Sequence, residues 1–216
     1  MKEFFEVFFK SSWIILFVAC LWLIHFANVY FDLNLNKLGI VPRNLSGIVG
    51  VFFAPLIHSK DNLNHLLNNS APLLILTWTL FYFYKPIAWK IFIYSWLCTG
   101  VFVWISARVA YHIGVSGILY SLLFFIFFSG VFRKDARLLT VALMVVFLYG
   151  SMVWGIFPYN WKISFESHFF GAITGTVLAY FYKKRGASFK IPKTQWEVEE
   201  ELGIEPPDFE STWKED

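Results

Sequence analysis

Long apolar runs separated by short polar stretches organise this chain. Six runs with few charges, at about residues 12–31, 63–84, 87–106, 115–131, 138–155 and 165–182, each approach the ~20 residues a helix needs to cross ~30 Å of hydrocarbon. The pattern predicts an all-α polytopic bundle of six transmembrane helices, the fourth of them short. Lys85-Pro86 marks a tight turn between the second and third runs. After about Gly186 the pattern changes. Glu197, Glu199, Glu200, Glu201, Glu205 and Asp208 accompany Pro206 and Pro207, with too little apolar content for a core. Residues 1–185 are thus expected to form one membrane domain, and 186–216 an acidic cytoplasmic tail that is disordered or loosely helical around Trp196 to Leu202.

Composition strengthens the membrane reading. Of 216 residues, 57% are hydrophobic and 21% aromatic, and a mean hydropathy of +0.57 is not that of an ordinary soluble domain. Lys2 and Lys10 precede the first run as they would in a signal peptide, but the run outlasts a typical h-region and reads as a retained span. Phe17-Val18-Ala19-Cys20 is only faintly a lipoprotein box, because apolar sequence continues well past Cys20. Cys20 and Cys98 fall in separate runs without CxxC spacing, so neither suggests a disulfide or a metal site.

Positive charge orients the bundle. With a cytoplasmic N-terminus, the inside collects Lys2, Lys10, Lys85, Lys90, Arg133, Lys134, Arg137, Lys183, Lys184 and Arg185, against Lys37, Arg43, Lys60, Arg108 and Lys162 outside. Both termini are therefore expected in the cytoplasm, with the protein in a bacterial cytoplasmic membrane. The net charge of +3 is what positive loops produce. The lipid bilayer is the expected environment, and no basic stripe, phosphate loop or internal repeat points to nucleic acid or a nucleotide. Oligomeric state is not legible.

Three strings then add chemistry to the apolar background, where a polar side chain needs a reason. Ser116 lies in Gly114-Val115-Ser116-Gly117 at the start of the fourth run, and the flanking Gly114 and Gly117 permit a sharp turn and a close neighbour. A serine hydroxyl needs a base to become a nucleophile. His168 in the sixth run shares a helix face with Gly171 and Gly175, which open that face to another helix. His65 and Asn69, four residues apart, project from one face of the second run and offer two donors at one level, as an oxyanion site requires. Each string alone fits ordinary helix packing or interhelical hydrogen bonding at least as well, and the serine string fits it better.

Tyr120 lies one turn after Ser116, placed to pack against the imidazole. No carboxylate lies in the interior of any run, and Glu166 faces away from His168 on a helix, so a Ser-His dyad is expected rather than a triad. His25, His58 and His112 lie near outer ends or loops. No H-E-x-x-H occurs and the runs supply no carboxylate ligand, so neither a metal nor another cofactor is expected.

In this order and on these runs, the strings resemble the rhomboid intramembrane serine proteases, over about Leu38 to Tyr182. That family has a six-span core with H-x-x-x-N on the second span, G-x-S-G opening the fourth, and a histidine followed by G-x-x-x-G on the sixth. The resemblance implies Ser116 as nucleophile and His168 as base. It also implies His65, Asn69 and the Ser116 backbone N–H as oxyanion donors, with Tyr120 stacked on His168. One departure stands out: the Trp-Arg pair common in the first outer loop is absent. Leu38-Gly39-Ile40-Val41-Pro42-Arg43 and the stretch from Gly47 to Phe53 look like another version of that membrane-dipping loop.

The expected activity is hydrolysis of peptide bonds in or near transmembrane segments of other membrane proteins, at a site opening to the outside. The alternative is a rhomboid-like pseudoprotease that binds membrane clients without cutting, although such relatives usually lack the serine or the histidine and this chain has both. A solute transporter is disfavoured by the lack of repeated halves.

Overall fold

Side-chain caps set where three of the helices begin. The structure, a computed structural model, describes residues 12–158, 163–185 and 195–204. Among them lie helices α1 (Trp13–Tyr30), α2 (Leu63–Phe83), α3 (Ala88–Ser106), α4 (Ser116–Arg133), α5 (Ala136–Tyr149) and α6 (Phe165–Phe181). Asn62 caps α2 by accepting the His65 N–H at 3.1 Å. Asp135 caps α5 by accepting from the Arg137 and Leu138 N–H groups, and Ser164 caps α6 by accepting the Ser167 N–H. The described residues contain no strand, only an isolated bridge between Ile40 and His112. In the acidic tail, Gln195–Glu201 forms a short helix; the remainder of the expected tail lies outside the described residues.

Four of these helices, α1 to α4, are long and apolar enough to cross a membrane. The last two are shorter: α5 has 14 residues, ending well before the run expected at 138–155 does, and α6 has 17, close to the run expected at 165–182. At 1.5 Å per residue these span about 21 and 26 Å. The fifth run is not one α-helix, because at Gly150 it tightens into a 3-10 segment, Gly150–Ile156. The sixth begins at Phe165, directly after its Ser164 cap. Outward-facing Leu16, Leu23, Phe26, Phe147 and Phe181 are all exposed, an apolar exterior that suits lipid.

The central helix is α4, which packs against α2, α3, α5 and α6. Two-thirds of it, 67%, is buried, against 22–44% for the other three long helices. Its closest partner is α6. A Cβ added at Gly171 would stand 2.2 Å from the Gly117 carbonyl oxygen, and one at Gly175 would stand 2.1 Å from that of Ser121. The two backbones meet at distances only glycine permits, which brings side chains on the first turns of α4 and α6 face to face.

The chain between α1 and α2 is a series of short turns, with 3-10 segments at Leu35–Leu38, Leu45–Val49 and Ala54–Leu56 and one helical turn at Gly50–Phe53. Arg43 fastens it to the end of α3, its guanidinium donating to the Ala107 carbonyl at 2.8 Å. In return, the Trp104 indole N–H donates to the Asn44 carbonyl at 2.9 Å. An arginine of the loop and a tryptophan of α3 thus make the connection, although the two are far apart in sequence.

Candidate active site

Ser116 is the first residue of α4, so its backbone N–H belongs to the group that has no partner within the helix and points out of its positive end. The turn before it depends on Gly114, whose φ of +106° is strained for any residue with a side chain. The Gly114 N–H donates to the Ala54 carbonyl at 2.9 Å, tying this turn to the loop after α1. Gly117, on the other side, lies against Thr99 and the Ser167 carbonyl.

His168 reaches Ser116 from α6, with 2.8 Å between Nε2 and Oγ. The other ring nitrogen fixes the direction of that bond. Nδ1 lies 2.9 Å from the Gly155 carbonyl, which can only accept, so Nδ1 carries the proton and donates. In the neutral ring Nε2 is then the acceptor, and the Ser116 hydroxyl donates to it. This is the ground-state arrangement a general base requires. Both residues are buried.

Tyr120 stacks on the His168 ring, with 4.1 Å between centroids and 7° between planes. Its hydroxyl donates to the Met152 carbonyl. The carboxylate of Glu166 is turned away from the dyad and meets Arg108 at 3.3 Å.

His65 and Asn69 both lie on the turn of α2 that faces this region. A Cβ placed on Gly114 would be 3.5 Å from His65 Nε2 and 3.9 Å from Ser116 Oγ, so both converge on the space that glycine leaves open. The Asn69 side-chain amide lies 3.4 Å from His58 Nε2, and the Val115 N–H points at the same nitrogen from 3.5 Å. A backbone N–H can only donate, so His58 Nε2 accepts and Asn69 must turn its NH₂ toward it. One Asn69 N–H is then engaged and the other remains to donate elsewhere. Burial, with the nearby His65 and His25 adding to it, holds the His58 pKa down to about 3, so this ring is neutral.

A cavity of ≈ 640 Å³ is bordered by His58, Asn62, His65, Gly114 and Ser164; Ser116, Asn69 and His168 do not line it. No group of three or more His, Cys, Asp or Glu side chains suited to a metal ion occurs among the described residues.

All the residues singled out in the sequence therefore sit on α2, α4, α6 or the turn before α4. Three participants were missed. The Gly155 and Met152 carbonyls are backbone atoms, and nothing in a residue's type announces them. His58 precedes α2 in a loop, where no helical periodicity links it to Asn69.

The chain matches the rhomboid domain over residues 45–185, well over half its length. Uncharacterized proteins of Mycobacterium tuberculosis and Mycobacterium bovis are each 32% identical to it over 177 residues, covering 77% of this chain and 72% of their own. Another, from Mycobacterium leprae, is 27% identical over 203 residues, covering 90% of this chain and 77% of its own. The rhomboid match, together with the apolar helices, makes the chain a multi-pass membrane protein belonging to the rhomboid family.

Proposed function

We propose that the chain is an intramembrane serine endopeptidase that hydrolyses peptide bonds in or near transmembrane segments of other membrane proteins. The observation that carries this reading is the 2.8 Å contact between Ser116 Oγ and His168 Nε2, with the ring tautomer set by Gly155. The serine hydroxyl attacks the scissile carbonyl as His168 takes its proton. The oxyanion that forms is met by the Ser116 N–H, His65 and Asn69. His168 then returns the proton to the leaving amine and activates water to release the acyl group.

In this reading α5 and α6 complete six spans within a membrane domain of residues 1–185, followed by an acidic tail at 186–216. Both termini are cytoplasmic and the cavity beside Gly114 opens outward, giving water a polar route to buried groups. A substrate helix has to unwind to expose a carbonyl, and glycine or proline in it eases that step.

Purified protein with a transmembrane reporter and a fluorophosphonate probe tests the proposal. Cleavage and labelling should both be lost in Ser116→Ala, and both should require His168. Binding of the reporter without cleavage or labelling in the parent would instead identify a pseudoprotease.

A further inference from the structure

A second polar cluster joins the loop before α4 to the first turn of α6. The His112 Nε2–H donates to the Arg108 carbonyl at 2.9 Å, which leaves Nδ1 as the acceptor in the neutral ring. Burial pushes the His112 pKa below its ordinary value and favours that neutral form. Nδ1 accepts from the Ser164 hydroxyl at 2.6 Å. Ser164 Oγ in turn accepts from the Ser167 hydroxyl at 2.7 Å and the Ser167 N–H at 3.3 Å. The protons therefore run in one direction, from Ser167 through Ser164 and His112 to the Arg108 carbonyl.

Arg108 adds a parallel connection. Its guanidinium donates to the Ile163 carbonyl at 3.1 Å, meets Glu166 at 3.3 Å and lies over the Phe165 ring, 5.2 Å from the centroid. The backbone of His112 exchanges two hydrogen bonds of 2.9 Å with Ile40, so the clasp has a fixed base on the loop after α1.

This clasp ends four residues before Ser116 on one side and one residue before His168 on the other. Where α4 and α6 lie closest, beside the dyad, glycine meets backbone, and the hydrogen bond from Arg133 of α4 to the Tyr182 carbonyl lies at the far end of α6. Such a surface sets how near two helices lie but has little directional preference, so it weakly resists a slide or rotation of α6. Hydrogen bonds and ion pairs are directional and supply what that surface lacks.

We propose that His112 and Arg108 are positioning residues that hold α6 in the register placing His168 Nε2 on Ser116 Oγ. The proposal rests on the proteolytic reading above. Its test compares the full-length wild type with His112→Ala, His112→Asn and Ser164→Gly, glycine being well tolerated as a helix cap. For each protein, kcat and KM on a transmembrane reporter, the rate of fluorophosphonate labelling and the thermal melt are measured. A misplacement on the order of 1 Å lowers rate by ~10²-fold, so His112→Ala and Ser164→Gly should lose ~10- to 100-fold in kcat and labelling rate, with KM within ~2-fold. His112→Asn sets its Oδ1 where Nδ1 stood, still accepts from Ser164, and should recover most of the loss.

Wild-type kcat in both His112→Ala and Ser164→Gly would overturn the proposal. So would a loss that merely tracks the folded fraction, or an asparagine variant no better than alanine. A wild type that neither labels nor cleaves would sink the proteolytic reading and this proposal with it, an outcome distinct from an active wild type with indifferent variants.

Discussion

The Tyr120 ring lies parallel to the His168 imidazole, 4.1 Å away between centroids, and its hydroxyl is anchored on the Met152 carbonyl. In a Ser-His-Asp triad an acid sets the orientation of the imidazole. Here the face of a phenol and the Gly155 carbonyl take its place. Tyr120→Phe keeps the stacked face and loses only the anchor, whereas Tyr120→Ala loses both. Fluorophosphonate labelling of Ser116 should therefore slow by less than ~10-fold in the phenylalanine variant and by ~100-fold in the alanine variant. Equal rates in all three proteins would remove Tyr120 from the account.

Gly155 has to remain a glycine for a related reason. A Cβ there would stand 2.0 Å from the Tyr120 hydroxyl and 3.0 Å from His168 Nδ1. The tyrosine cannot swing aside without leaving both the imidazole face and Met152. Gly155→Ala should thus lower kcat by ~10²-fold while leaving reporter binding intact, as expected when reacting groups are misplaced rather than lost. Reporter cleavage at saturating substrate decides, and an unimpaired alanine variant would mean that Tyr120 and His168 accommodate a Cβ at this position without losing their alignment.

Gly155 also marks where the sequence ceased to be legible. The bundle could be read because each helix core is a long apolar run, and Ser116, Tyr120, His168, His65 and Asn69 could be read because helical spacing puts them on shared faces. The breakdown of the fifth run at Gly150 is masked by Met152, Val153, Trp154 and Ile156, which keep the stretch apolar although Gly150, Ser151 and Gly155 are weaker helix formers. Its consequence is that a 3-10 segment, not an α-helix, delivers two carbonyls to His168 and Tyr120. His58 escaped for a different reason: it meets Asn69 through the path of a loop, and loop paths carry no periodicity. The contact that ties the loop after α1 to α3 is similar, because Arg43 and Trp104 meet only after folding.

The glycine faces of α4 and α6 bear on stability more than chemistry. Gly171→Ala would force a Cβ to within 2.2 Å of the Gly117 carbonyl oxygen, whereas at Gly150 the nearest atom, on Val146, is 3.4 Å away. Overpacking of that kind typically destabilises by about 1–3 kcal/mol. Thermal melts in detergent should show a clear loss for Gly171→Ala and little change for Gly150→Ala. A similar loss in both would argue against close approach as the role of Gly171.

Acid should weaken the fold through His58. Its Nε2 faces two donors, the Asn69 amide and the Val115 N–H, and protonation would set a third donor against them. The folded-state pKa is about 3, against about 6.5 for a free imidazole. Between those values the unfolded chain binds the extra proton and the folded one does not, so stability falls as pH falls through this window and is unaffected by His58 above it. The loss amounts to at most ~1.4 kcal/mol per pH unit from this site. His58→Gln keeps an acceptor near the position of Nε2 but cannot titrate. Melting temperatures measured from about pH 7 down to about pH 4 should therefore drop more steeply in the wild type than in His58→Gln. His112, whose pKa is also lowered by burial, titrates in both proteins and cancels from the comparison. Parallel curves would show that the acid sensitivity arises elsewhere and that His58 does not accept both bonds.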